Sequence, residues 1–191
     1  MRIEPMDIAE LKAELERLHC ASFGWALSCC RRDRAEAEEV LQTVYLKILE
    51  GKARYCGEAS FKTWLFAVIR KTAVSEYRRT LLRKLRVTTP SVLETDRNPL
   101  REEPGTAFER SETRMHFQRA LEKLPTRQRE ALHLVFYQEL SLRETAEVMG
   151  ISIGSARQHY DRGKKRLRET LAETEAAYGI RWRGKENPGT V

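Results

Sequence analysis

Apolar residues recur at three- and four-residue spacing through most of this 191-residue chain, which predicts an all-α fold. In the carboxyl-terminal third, Leu142, Ala146 and Met149 form one short stripe, and Ala156, Tyr160 and Leu167 form a second. Ser141 and Glu144 make a Ser-x-x-Glu capping box at the start of the first helix. Gly150 supplies the tight turn, and Ser152 stands where the second helix needs a cap. Ala146 lets the two helices approach closely, and Ser155, Gln158, His159 and Arg162 share the polar face of the second. The pattern is that of a helix-turn-helix. From Ile153 to Arg168 the second helix carries Arg157, Arg162, Lys164, Lys165, Arg166 and Arg168 against the single acid Asp161. Such a cluster suits phosphate contacts, and duplex DNA is the partner that uses both features. A solvated amphipathic helix is the simpler alternative.

The amino-terminal block, Asp7 to Leu82, is also helical by pattern. In RAEAEEVLQTVYLKILE the apolar stripe is Val40, Leu41, Val44, Tyr45, Ile48 and Leu49, while Glu38, Glu39 and Gln42 lie on the other side. By pattern alone, that acidic strip is a solvated helix face. Gly51 and Gly57 then bracket a short loop, and Ser60 is placed to cap a helix with apolar Phe61, Trp64, Leu65 and Val68. Arg70, Lys71, Arg78, Arg79, Arg83, Lys84 and Arg86 follow, against Glu76. Aromatics beside a basic track suit single-stranded nucleic acid, because bases stack on rings while cations follow the backbone. Phe61, Trp64 and Phe66 are expected mainly in the core, with one or two rings facing outward.

From Val87 to Glu109 the periodicity fades. Pro90, Pro99, Pro104 and Gly105 interrupt it, and acids outnumber Arg97 and Arg101. This predicts an extended acidic linker whose reach is on the order of 60 Å if about twenty residues are extended. The expected layout is a helical domain over 1–86, a linker over 87–112, a helix-turn-helix domain over 113–174 and a weakly ordered tail over 175–191.

A formal net charge of +7 favours a polyanionic partner, although a membrane surface would be served equally by charge alone. With Glu4, Pro5 and Asp7 near the start and no long apolar run, the chain reads as cytoplasmic, without membrane insertion. Cys20, Cys29, Cys30 and Cys56 show no familiar metal spacing and are expected as buried reduced thiols. No metal or cofactor is expected. His19, His116, His133 and His159 are scattered without a nucleophile context, and no Gly-rich phosphate loop appears, so an enzyme is not expected.

With these segments in order, the chain from about Phe23 to Leu171 resembles a bacterial RNA polymerase sigma factor of the extracytoplasmic-function (ECF, group four) type of the sigma-70 family. Asp33 to Ile48 is similar to the family's acidic core-binding segment, and Gly57 to Arg79 to its promoter-opening segment. The stretch from Leu121 to Leu171, with Leu124-Pro125 before its first helix, resembles the minus-35 domain.

The resemblance implies that Glu36, Glu38, Glu39 and Gln42 dock on the clamp coiled coil of the largest subunit of core RNA polymerase. It implies that Lys52 to Ser60 form a pocket for a flipped base of the minus-10 element. Arg54, Phe61, Lys62, Trp64, Arg70, Lys71, Arg78 and Arg79 would contact the opened minus-10 DNA. Ser155, Arg157, Gln158, His159, Arg162 and Lys165 would read the minus-35 element, and an anti-sigma factor is the implied regulator. Lys71 and Ser75 replace the family's usual Asn and Asp, and His159 and Asp161 its usual Arg and His, which leaves the promoter sequence open.

A magnitude agrees with a polymerase partner. Opening about ten base pairs costs roughly 14 kcal/mol, while each base stacked on a ring returns about 1–3 kcal/mol. A domain that captures two or three bases does not melt DNA unaided. The alternative function is a stand-alone helix-turn-helix regulator, which explains Ser141 to Leu167 but not the block around Trp64.

Overall fold

The computed structural model describes residues 6–86 and 107–178, and those residues are helical with no strand among them. The aspects of the linker and tail expectations that concern 87–106 and 179–191 lie outside the described residues.

In the first domain, α1 (Ile8–Arg17) leads into α2 (His19–Cys29). The chain then reverses through Arg31 and Arg32, both left-handed with φ of 53° and 67°. Asp33 starts α3 (Arg34–Leu49) by accepting from the Glu36 amide at 3.0 Å. A loop leads to α4 (Phe61–Arg86), where the Ser60 hydroxyl accepts from the Thr63 amide at 3.2 Å. Helices α2, α3 and α4 pack on one another around Trp25, Val40, Leu41, Val44, Ile48, Leu65, Phe66 and Ile69. Trp25 is wholly buried, and its indole N–H donates to the Phe66 carbonyl at 3.0 Å. Most of the α3 stripe is interior as expected. Leu49 is not: it is exposed together with Leu46.

The second domain begins with α5 (Ala107–Glu122), which starts inside the span read as linker. Pro125 precedes α6 (Thr126–Leu132), and α6 passes directly into a π-helical turn, His133–Tyr137. The helix-turn-helix follows as α7 (Leu142–Met149) and α8 (Ile153–Tyr178), so α8 runs past the expected domain end at 174. The capping box is complete: the Ser141 hydroxyl accepts from the Glu144 amide at 3.2 Å, and the Glu144 carboxylate accepts from the Ser141 amide at 2.9 Å. Gly150 ends α7 in the left-handed region, with φ 63°.

Helix α8 crosses α6 at Gly163, where a methyl group would lie 3.2 Å from the Gln128 Cβ, the Gln128 carbonyl oxygen and a Leu132 methyl. Gly163→Ala gains about 1 kcal/mol of helix propensity and loses about 1–3 kcal/mol to overpacking. Because one neighbour is backbone, the expected net effect is destabilising, read as a lower thermal midpoint. An unchanged or raised midpoint would show that α6 and α8 slide apart freely.

The two domains share a core. Leu134, Leu140, Val148 and Met149 of the second belong to the same buried cluster as Trp25 and Phe66 of the first, and α7 lies against α4. Among the described residues, no helix is long and apolar enough to cross a membrane.

Candidate functional site

Three faces carry the predicted residues. The first is on α3. Asp33 fixes the helix start, and burial of Ala37, Val40, Leu41 and Val44 turns Glu38, Glu39 and Gln42 out to solvent. Glu36 is half-buried. Glu38 accepts from Arg34 at 2.8 Å, an exposed pair of little energetic weight. Leu46 and Leu49 extend the face with two exposed apolar side chains. They were missed as part of it, although their spacing from Glu39 and Gln42 puts all four on one side of a helix.

The second face is α4 with the loop before it. Tyr55, Phe61 and Trp64 form a ring cluster with centroids 5.2–5.4 Å apart. Tyr55 was not singled out from sequence. Its hydroxyl donates to the Ala59 carbonyl at 2.7 Å and ties the loop together. Phe61 and Phe66 are buried as expected, and Trp64 is half-buried. Arg54 is exposed, with its guanidinium on the Gly51 carbonyl at 3.2 Å. Lys71, Arg78 and Arg79 are also exposed. Arg79 pairs with Glu76 at 2.5 Å, and Arg31 lies over the exposed Tyr77 ring at 4.9 Å.

Lys62 and Arg70 differ from the rest of this face. The Lys62 ammonium donates to the Gln138 carbonyl at 2.6 Å, and Arg70 pairs with Glu130 at 3.2 Å. Both partners belong to the second domain. Burial raises the Glu130 carboxyl above its ordinary range despite Arg70, so the pair sits where water does not relieve the cost. Beside it, His133 packs on Trp25 with ring centroids 5.3 Å apart. Burial pushes its imidazole down to about 4, so it is neutral near pH 7. The Gln138 amide reaches the His133 Nε2 at 3.2 Å and donates to the Ala21 carbonyl at 3.5 Å.

The third face is the first half of α8. Ser152 caps it by accepting from the Ser155 amide at 3.2 Å, and Ile153 follows as the first helical residue. Ala156 and Gly163 are buried, while Arg157, Gln158, Arg162 and Lys165 are exposed. Ser155 and His159 are half-buried, and the Ser155 hydroxyl is engaged by that of Ser152 at 2.9 Å. Lys164 lies over the Tyr160 ring at 4.9 Å. Asp161 and Lys165 are both exposed, without an ion pair to one another among the described residues.

The cysteines divide. Cys30 is buried and its thiol is pushed up to about 12 by burial, and burial also raises the thiol of half-buried Cys29. Cys20 and Cys56 are exposed, against the expectation of burial: Cys20 faces away from the buried side of α2, and Cys56 lies in the loop before α4. Among the described residues, no three His, Cys, Asp or Glu side chains gather as metal ligands would.

Known proteins carry the same two segments in the same order. The family model for sigma-70 region 2 matches residues 16–81, and that for sigma-70 region 4 matches residues 114–167. The RNA polymerase sigma factor CarQ of Myxococcus xanthus is 31% identical over 75% of this chain and 79% of its own length. The ECF RNA polymerase sigma factor SigF of Caulobacter vibrioides is 32% identical over 71% of each chain. Among solved structures, the fold is similar to that of the sigma factor RpoE, in complex with the anti-sigma factor NepR from Bartonella quintana. That likeness has a TM-score of 0.65 at 24% identity, and covers 86% of this chain and 98% of the other. The match to region 2 disfavours a stand-alone regulator, which has no use for such a domain. This chain belongs to the sigma-70 family as an ECF sigma factor, a subunit that directs RNA polymerase to its promoters.

Proposed function

We propose how the three faces divide the work of this sigma factor. The α3 face of Glu38, Glu39 and Gln42, with Glu36 at its edge, docks on the clamp coiled coil of the polymerase's largest subunit, and Leu46 and Leu49 add apolar contact. Arg157, Gln158, His159, Arg162 and Lys165, with Ser155 at the helix start, enter the major groove of the minus-35 element. Arg54, Phe61, Lys62, Trp64, Arg70, Lys71, Arg78 and Arg79 then hold the opened minus-10 strand, with rings for bases and cations for phosphates. The observation that carries this reading is the charge separation: acids stand exposed on α3, while bases stand exposed on α4 and α8.

An anti-sigma factor is a further partner. The sigma factor RpoE, similar in fold, was solved in complex with the anti-sigma factor NepR. A protein that covers the α3 and α8 faces would silence this one.

In-vitro transcription from a genomic fragment library, with core polymerase alone and with this protein added, tests the reading. Start sites that need the protein and share two upstream elements are the expected result. No new starts would sink it. Within those promoters, Arg157→Ala is expected to cost about 1–3 kcal/mol and to relax base preference. Lys165, the last cation of the inserted face, is assigned to a phosphate at the groove edge, so Lys165→Ala should weaken binding evenly across sequences and lower the salt slope by roughly 0.9. A measured slope identical to that of the wild type would take Lys165 off the phosphate backbone.

A further inference from the structure

We propose that Arg31, stacked on Tyr77, is a phosphate contact for the DNA backbone at the upstream border of the opened minus-10 segment. It extends the nucleic-acid surface from α4 onto the turn between α2 and α3, an assignment that rests on α4 being the minus-10 surface.

The chain turns through Arg31 and Arg32 with φ of 53° and 67°. Glycine holds such backbone at no steric cost and a Cβ resists it, so side chains kept at both positions point to a use for them. Three arginines, Arg31, Arg32 and Arg34, fall within four residues beside the single acid Asp33. Asp33 is spent on the Glu36 amide at 3.0 Å, and Arg34 on Glu38 at 2.8 Å. Arg31 and Arg32 are exposed, with no ion pair for either among the described residues.

The Arg31 guanidinium lies 4.9 Å from the centroid of the Tyr77 ring and donates one N–H to the Tyr77 hydroxyl at 3.2 Å. A ring and a hydroxyl bring no negative charge to cancel it, so the guanidinium keeps its charge and its other donors for an anion. A stacked fork is also ordered in advance, and little rotamer freedom remains to be lost when it meets a phosphate.

Tyr77 stands about 20 Å along α4 from Trp64, or about six base pairs. Beyond Arg86 the chain leads to the domain that reads the minus-35 element, so this end of α4 is the upstream one. Bases captured at Trp64 are thus followed, at Arg31, by backbone that is rejoining the duplex. Charge decides between DNA and the polymerase as the occupant. A polymerase surface complementary to Glu38 and Glu39 is positive and repels Arg31 and Arg32, whereas the polyanion attracts them.

The test uses holoenzyme reconstituted from the full chain and core polymerase, with two probes from a mapped promoter. One is the minus-10 non-template strand alone, and the other is the same strand continued upstream as duplex. Arg31→Gly removes the cation and suits the left-handed backbone, so the thermal midpoint of the chain is expected to hold or rise. Core binding and strand binding should match wild type, while the forked probe binds about tenfold more weakly with a salt slope lower by roughly 0.9. Replacing upstream phosphates one at a time by uncharged methylphosphonates should weaken wild type at one position and leave the variant indifferent there. Forked-probe affinity and slope equal to wild type overturn the proposal. So does a midpoint lowered by several degrees, which makes Arg31 a staple between turn and helix, or a loss of core binding, which gives it to the polymerase. Arg78→Ala with Arg79→Ala separates this failure from failure of the assignment beneath it. If that double variant binds both probes like wild type, the α4 assignment itself is wrong; if it weakens both while Arg31→Gly changes neither, that assignment stands and only the Arg31 contact falls.

Discussion

Trp25→Ala is expected to remove about 3–5 kcal/mol of stability, which is a large part of what a small protein has. The indole is fully buried where α2 meets α4, with Phe66 stacked on one side at 6.1 Å and His133 of the second domain on another at 5.3 Å. Its loss leaves a cavity that three elements line and that none can close without moving the others. Trp25→Phe keeps most of the apolar area but gives up the hydrogen bond to the Phe66 carbonyl, so it should cost about 1–2 kcal/mol. Denaturant midpoints at constant slope measure both. A loss under about 1 kcal/mol for the alanine variant would place the centre of the core elsewhere.

The second large effect falls on binding and spares the fold. Glu38→Arg combined with Glu39→Arg is expected to weaken association with core polymerase by at least about 100-fold, or roughly 2.8 kcal/mol. Both carboxylates point into solvent, so nothing interior changes. The one pair lost, Glu38 with Arg34, is exposed and worth less than about 1 kcal/mol. A pull-down against core polymerase, run beside a thermal melt, separates the two quantities. Binding equal to that of the wild type would remove the acidic strip from the docking surface. A melt lowered by many degrees would mean that the strip supports the helix itself.

The helix-turn-helix was legible almost atom by atom, because capping and turning are local chemistry. Ser141, Glu144, Gly150 and Ser152 each act within four residues of their own position. The reversal between α2 and α3 was not legible, since no glycine or proline marks it. Arg31 and Arg32 hold left-handed backbone there because packing on both sides overrides their preference. The start of α5 was hidden by Pro104 and Gly105, which lie just before it and made the following residues read as linker. The acidic and basic faces could be seen as periodic charge, whereas their roles came from family resemblance. The contacts of Glu130, His133 and Gln138 had no signal at all. Each depends on a partner 60 to 117 residues away in sequence, and no periodicity encodes such a pairing.

The buried cluster common to both domains also bears on how long the protein survives in the cell. Each domain alone is small, and small domains bury too little surface to be robust. Their shared buried cluster, with Trp25 near its middle, is expected to make them unfold together. Were the two to part, α4 and α7 would lose the cover they give each other and lie open to proteolysis. Cellular half-life should therefore follow occupancy of polymerase and regulator, and free copies stay protected only while their two halves remain together.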